Sequence, residues 1–311
     1  MNSKKLLIVI LLLLNLSTNI SNSLENKIIL KIDRDIVTTL DIKNEAKYLS
    51  ALNPRLMELK DSKIFEISKK SIIREKIKKI EILKNRKDTN LSDNFLEKII
   101  ETRYKSLGLE TKKQFINYLK DFDIEIDTVI NKIKIEALWN QLIIYKFSDK
   151  IKIDKDKLRT SISLNKNVAE SKEFLLKEIV FNIDKDSNLK EKYKVIKESI
   201  KNTGFENTAS LYSISDTAKI GGTLGWLNEN SLSPKIKDIL SKLKLSEYSE
   251  PIILPGSFLI LQISDIKIIK EKFDINKELD IAVNTESNRQ LNQFSNIYFN
   301  KIKKEISIDE I

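Results

Sequence analysis

The chain has 311 residues, 41% hydrophobic and 32% charged, enough apolar side chains for a packed core and too many for global disorder. Lysine and arginine outnumber aspartate and glutamate 55 to 45, a formal charge of +10. The lysines are spread along the chain without a compact basic block interleaved with aromatics, so no nucleic-acid partner is expected. There is no histidine and no cysteine, which excludes Ser-His-Asp triads, cysteine nucleophiles, disulfides and zinc sites built on those side chains; no metal and no cofactor are expected.

Residues 1–23 read as an export signal. Lys4 and Lys5 form a basic start, Leu6 to Leu14 an unbroken apolar run, and Ser17 to Ser23 a small, polar stretch with a plausible cleavage point after Ser23. The apolar run is shorter than the ~20 residues a spanning helix needs. No later run is longer, so a periplasmic protein without an integral membrane span after signal removal is expected. An uncleaved anchor is the alternative. ATP is not expected in that compartment, and no phosphate-cradling Gly-rich loop is visible.

From 24 to about 170 the pattern is mostly helical. Residues 27–37 read as two short strands around a turn at Asp33-Arg34-Asp35. Thr38 with Asp41 three residues on marks a helix start, and Asn53-Pro54 its stop. Over 62–85, Ile64, Phe65, Ile67, Ile72, Ile73, Ile77, Ile80 and Leu83 recur at three- and four-residue spacing, predicting an amphipathic helix with a basic outer face. Further helices are predicted from Asp93 to Leu107 with Gly108 as its cap, from Thr111 through Leu119, and through Phe147 with Asp127 as the N-terminal cap.

The texture changes after Ser171. Phe174 to Phe181 and Ser257 to Ile263 are β-rich, with helical stretches near 188–202 and 233–243, and five of the six glycines fall between 204 and 256. From Lys270 the helical pattern resumes through Leu291, Phe294, Ile297, Tyr298 and Ile302, and the tail Ile306 to Ile311 alternates like a strand. The fold class expected is α+β: a helical body interrupted by an inserted antiparallel sheet flanked by helices. The segments are 24–170, 171–268 and 269–311, the last packing back on the first.

The middle block carries a series of landmarks: Lys177-Glu178-Ile179-Val180-Phe181, then Gly204-Phe205 to Ala209, Gly221-Gly222-Thr223-Leu224-Gly225-Trp226, Leu245 to Ile252 with Pro251, and Pro255-Gly256-Ser257-Phe258. In that order and spacing it resembles the parvulin (rotamase, PpiC) domain of peptidyl-prolyl cis-trans isomerases. The flanks resemble the SurA-like periplasmic chaperones, through Ile32 to Thr38, Leu107-Gly108-Leu109 with Phe115, and Tyr298 to Ile308.

The resemblance implies a helical core, completed by the C-terminal helix, that holds unfolded or extended polypeptides, outer-membrane proteins in particular. It also implies a proline pocket at Leu224, Leu232 and Ile236, with Trp226 following directly and Phe258 nearby. Active parvulins set two histidines and an Asp or Cys in the pocket floor. Here Glu178 and Phe258 stand at the histidine positions, Ser215 or Asp216 at the Asp/Cys position, and Thr223 at the usual Asp of the signature. Rotation about a peptide bond faces ~18–20 kcal/mol, and catalysis requires binding the twisted state better than the planar ones. The substitutions therefore imply a weak or inactive isomerase acting as a binding module. The alternative is an active isomerase assisting the folding of exported proteins.

Overall fold

The computed structural model describes residues 26–164, 171–183, 188–269 and 274–311; the expected signal segment lies outside them. The chain opens with a hairpin, β1 (Ile28–Ile32) and β2 (Asp35–Thr38), turning at Asp33 with φ of 50°. Thr38 leaves β2 and caps α1 (Thr39–Leu52): its hydroxyl accepts from the Asp41 amide while Asp41 accepts from the Thr38 amide, a reciprocal box that satisfies two otherwise orphaned donors. Four more helices follow, α2 (Asp61–Asn85), α3 (Asp93–Ser106), α4 (Lys112–Asp121) and α5 (Ile126–Phe147), and then α6 (Lys155–Leu164). Asp127 is not the cap of α5; the helix begins one residue earlier, behind Glu125.

The second sheet has the order β4-β3-β6-β5, all antiparallel, from β3 (Ser171–Phe181), β4 (Thr223–Asn228), β5 (Ile252–Leu254) and β6 (Ser257–Ile269). Against one face lies α7 (Leu189–Tyr212), around Ile179, Phe181, Ile196, Phe205 and Ile260; against the other lies α8 (Pro234–Ser241), around Phe174, Leu176, Leu240, Leu261 and Ile263. α7 is longer than the 188–202 periodicity suggests because it continues past a non-helical Gly204.

The last helix, α9 (Ile275–Lys303), and β7 (Ile308–Glu310) return to the first body. β7 adds to the open edge of β1, pairing Ile308 with Ile32 and Glu310 with Leu30. On α5, Trp139 is fully buried, stacks on Tyr298 at 5.8 Å, meets Phe299 edge-on at 6.3 Å, and donates its indole N–H to Ser295 at 2.8 Å. Phe147 stacks on Phe294 at 5.1 Å. One apolar cluster thus joins β1, β2, α2, α5 and α9. Buried aromatics with their polar atoms satisfied are strong anchors, and here they join segments separated by more than a hundred residues of chain.

Candidate functional site

The sheet of residues 171–269 is extended beyond β4 by the segment 213–222. The Ile214 amide donates to the Val180 carbonyl at 2.7 Å, and the Glu178 amide donates to the Gly222 carbonyl at 2.8 Å. Gly222 also donates to the Thr217 carbonyl at 2.8 Å. A Cβ at Gly222 would sit 2.2 Å from the Glu178 carbonyl oxygen, and its φ is +79°, so only glycine fits this close approach. The Gly-Gly signature is the point where the loop seals against β3.

Three residues, from β4, the turn after it and α8 itself, gather in the apolar cluster between α8 and the sheet. Leu224 lies where the β3–β4 register slips between Leu176 and Lys177, next to Gly225 with φ of +87°. Leu232 and Ile236 follow, the latter in the first turn of α8, which Ser233 caps. All three are half-buried against Phe174, Leu176, Leu240, Ile252, Leu261 and Ile263. Trp226 does not join them: it pairs with Leu175, points to the other face, is 39% exposed and lies under the Lys267 ammonium at 4.4 Å. Phe258 does not join them either. It pairs with Phe181, stacks on it at 5.6 Å and packs in the α7 cluster.

Glu178 pairs with Leu261, three rungs from the Phe181–Phe258 pair, so Glu178 and Phe258 emerge on opposite faces. Glu178 has its own partners. Ser215 and Thr217 both donate to its Oε1, at 2.7 and 2.9 Å. Burial raises its carboxyl above the ordinary glutamate value, the two hydroxyls pull it back, and the Asp216 charge raises it further. Asp216 takes no part in this set. Its carboxylate turns to α2, where Lys78 Nζ and Arg74 Nε bind Oδ1 at 2.6 and 3.0 Å. The four degenerate positions therefore separate into a Glu178–Ser215 hydrogen bond, an Asp216 ion pair to the helical body, and a Phe258 stacked in a core.

The Asp216 pair belongs to a larger contact between the sheet unit and the helical body. Lys219 binds Glu136 of α5 at 3.0 Å, and Glu136 binds Arg103 of α3 at 2.9 Å. Behind them Lys132 bridges Glu45 and Glu75, and Ser71 donates to Glu45 at 2.5 Å. Arg55 pairs with Glu206 at 3.3 Å, and Asn207 donates to the Arg55 carbonyl at 3.1 Å. Leu211, Tyr212 and Ile220 pack with Tyr48, Leu49, Leu52 and Ile67. For Asp216, partial desolvation alone would raise the carboxyl, but Lys78, Arg74 and Lys219 outweigh it and hold it well below the usual range. Lys78 is the converse: burial pulls its ammonium down to about 8, only partly offset by Asp216. Lys78, Glu136 and Lys219 carry no motif that marks them in the sequence. The available signal was a charged residue set within an apolar stripe, as Lys78 directly follows Ile77.

Beside this contact opens a crevice of about 390 Å³. Its walls come from α1 and α2 (Leu49, Ile67), from the end of α7 and the following strip (Leu211, Ile214), and from the C-terminal part of α9 (Phe299). Leu224, Leu232 and Ile236 are not among its lining residues, so the half-buried patch at α8 and this crevice are separate surfaces. Among the described residues, no helix is long and apolar enough to cross a membrane.

Residues 174–265 match the Rotamase family, the PPIC-type PPIase domain, and this segment of the chain is such a domain. No curated protein matches the chain. Among solved structures, the chain is similar to one from Campylobacter jejuni, reported with the virulence factor PEB4 and the periplasmic protein Cj1289 as two structurally related SurA-like chaperones. That match has 18% identity over 92% of this chain and 99% of the other, with a TM-score of 0.36. It is also similar to PrsA from Bacillus subtilis, at 19% identity over 90% and 93% with a TM-score of 0.29. A third is the foldase protein PrsA from Streptococcus pneumoniae, at 13% identity over 90% and 92% with a TM-score of 0.29.

Proposed function

We propose that this protein is an ATP-independent chaperone of exported polypeptides, acting in the periplasm on unfolded outer-membrane proteins, with its rotamase domain serving as a binding module. The observation that carries the reading is the crevice shared by α1, α2, the end of α7 and α9. A site whose walls come from both ends of the chain and from the rotamase domain suits an extended segment, since apolar side chains of a client gain by leaving water there. Without ATP, capture and release rest on binding equilibria alone. The test is light scattering of a urea-unfolded β-barrel protein diluted into buffer, with and without an equimolar amount of the full chain. Suppression of aggregation is expected, and an unchanged scattering trace refutes the reading.

A second reading, an active peptidyl-prolyl isomerase, is favoured by the gathering of Leu224, Leu232 and Ile236 in one half-buried cluster. Against it stands the floor. Glu178 is engaged by Ser215 and Thr217, and Asp216 is engaged by the helical body. Neither offers the pair of neutral rings that active family members use. NMR exchange spectroscopy on Xaa-Pro peptides separates the two. Exchange close to the uncatalysed rate is expected, and strong line broadening at substoichiometric protein favours the isomerase.

A further inference from the structure

The crevice between the helical body and the rotamase domain has a pronounced charge asymmetry. Its floor is apolar, but its charged lining residues are Lys70, Arg74, Lys219 and Lys303 against the single carboxylate of Asp216. That carboxylate is already held by Lys78 and Arg74, and Lys219 is held by Glu136. Arg74 is also fixed by Phe299, whose ring lies 4.5 Å from its guanidinium carbon. Lys70 spans the rim, with Nζ 3.4 Å from the Leu211 carbonyl and 2.8 Å from Glu66. Lys303 ends α9, and among the described residues it has no ion-pair partner.

From this we infer that the crevice selects, among extended polypeptides, segments in which apolar side chains are flanked by carboxylates. The inference rests on the chaperone reading and names the client chemistry of the same site. An apolar side chain fills the floor beside Leu49, Ile67 and Phe299. The flanking acids meet Lys70 on α2 and Lys303 at the end of α9, both on the crevice lining. A lysine-flanked segment places like charges against the same rim and is repelled, so the rim excludes as well as attracts. Rim charges act in high dielectric and are screened by salt, so the preference belongs to low and physiological ionic strength.

The test uses the full chain and fluorescence anisotropy with labelled peptides that share two apolar residues and differ only in flanks of Glu, Gln or Lys, alongside an oligoglutamate without apolar residues. At ~50 mM salt the Glu-flanked peptide is expected to bind about tenfold tighter than the Gln-flanked one, with the Lys-flanked one weakest and the gap closing toward ~0.5 M salt. The double variant Lys70→Glu with Lys303→Glu should reverse the order. A control with the same charge change elsewhere, Lys98→Glu with Lys242→Glu, should preserve it. Equal affinities for the three peptides, equal effects of the two double variants, or oligoglutamate binding as tightly as the apolar acidic peptide would each overturn the inference. Aggregation suppression measured on the same preparations tells the two readings apart. Suppression without peptide discrimination leaves the chaperone standing and removes the selectivity; discrimination without suppression does the reverse.

Discussion

Lys78 Nζ on α2 and Asp216 Oδ1 in the rotamase domain lie 2.6 Å apart, and the lysine side chain is only 3% exposed. Its ammonium also sits 5.3 Å over the Trp139 ring, so the charge that fastens the two units is seated on the main aromatic cluster of the helical body. Replacing Asp216 by Asn removes the counter-ion while Arg74 and Lys219 remain close by. Because the Asp216 side chain is 41% exposed, the expected loss lies between that of surface and buried pairs, about 1–3 kcal/mol. Urea unfolding measures it. The double variant Asp216→Asn with Lys78→Met should recover the part of the loss that comes from stranding the Lys78 ammonium, while Arg74 still lacks its carboxylate partner.

The pH dependence has a defined sign. Lys78 titrates at about 8 in the folded protein against an ordinary value of 10.5, so between those values the unfolded chain binds more protons and stability contributed by this group rises with pH. Lys219 and Lys132 behave oppositely: burial opposes their charge, but their carboxylate partners raise them above the ordinary lysine value. Their contribution is therefore complete below that value and lost only as pH rises through the folded one. The stability of the native chain relative to Lys78→Met should accordingly climb between pH 8 and 10, measured by urea unfolding at constant salt. A flat difference would show that Lys78 is not buried as a charge.

Glu178 gives a prediction on the acid side. Its carboxyl is raised by burial, so its folded form favours the proton, and this contribution is fully present below the ordinary glutamate value and lost as pH rises through the folded one. Glu178→Gln keeps an acceptor for Ser215 and Thr217 without the buried charge. It should stabilise the protein at pH 7 by on the order of 1 kcal/mol and have no effect near pH 4. Thermal unfolding of both proteins at the two pH values tests this, and a destabilised Gln variant at pH 7 would mean that the carboxylate charge is itself used.

The helices of the body are legible in sequence because a buried stripe repeats every three or four residues, and Ile67, Ile72 and Ile77 on α2 are indeed buried. Periodicity says less about which flank of the stripe stays wet. Phe65, Leu83 and Phe95 fit the same spacing and are 40%, 42% and 40% exposed. The rotamase domain was legible from its landmarks, since Gly222 and Gly225 answer to local backbone demands that any sequence with this turn must meet. The candidate site was legible only in part. Leu224, Leu232 and Ile236 share a cluster, but Trp226 lies on the other face because the β3–β4 register slips at Leu224, which spacing alone does not reveal, and Phe258 lies there by simple strand alternation. The docking contact was invisible because Lys78 meets Asp216 across 138 residues, and long-range charge pairing leaves no local pattern.

Two glycines of one signature should differ in a measurable way. At Gly222 an added Cβ meets the Glu178 carbonyl at 2.2 Å and the Ala209 Cβ at 3.0 Å, both parts of packed elements that cannot yield. At Gly225 the φ is +87°, but nothing lies within 4 Å of the added atom. Gly225→Ala therefore pays only for the left-handed backbone, about 1–2 kcal/mol. Gly222→Ala adds a clash that must break the hydrogen bond from the Glu178 amide, for a total above about 3 kcal/mol. Because the strip 213–222 also carries Asp216 and Lys219, that break should reach the helical body. Limited proteolysis is expected to cut Gly222→Ala between residues 213 and 222 under conditions that leave Gly225→Ala intact. Equal resistance of the two variants would show that the strip is not held to β3 by this approach.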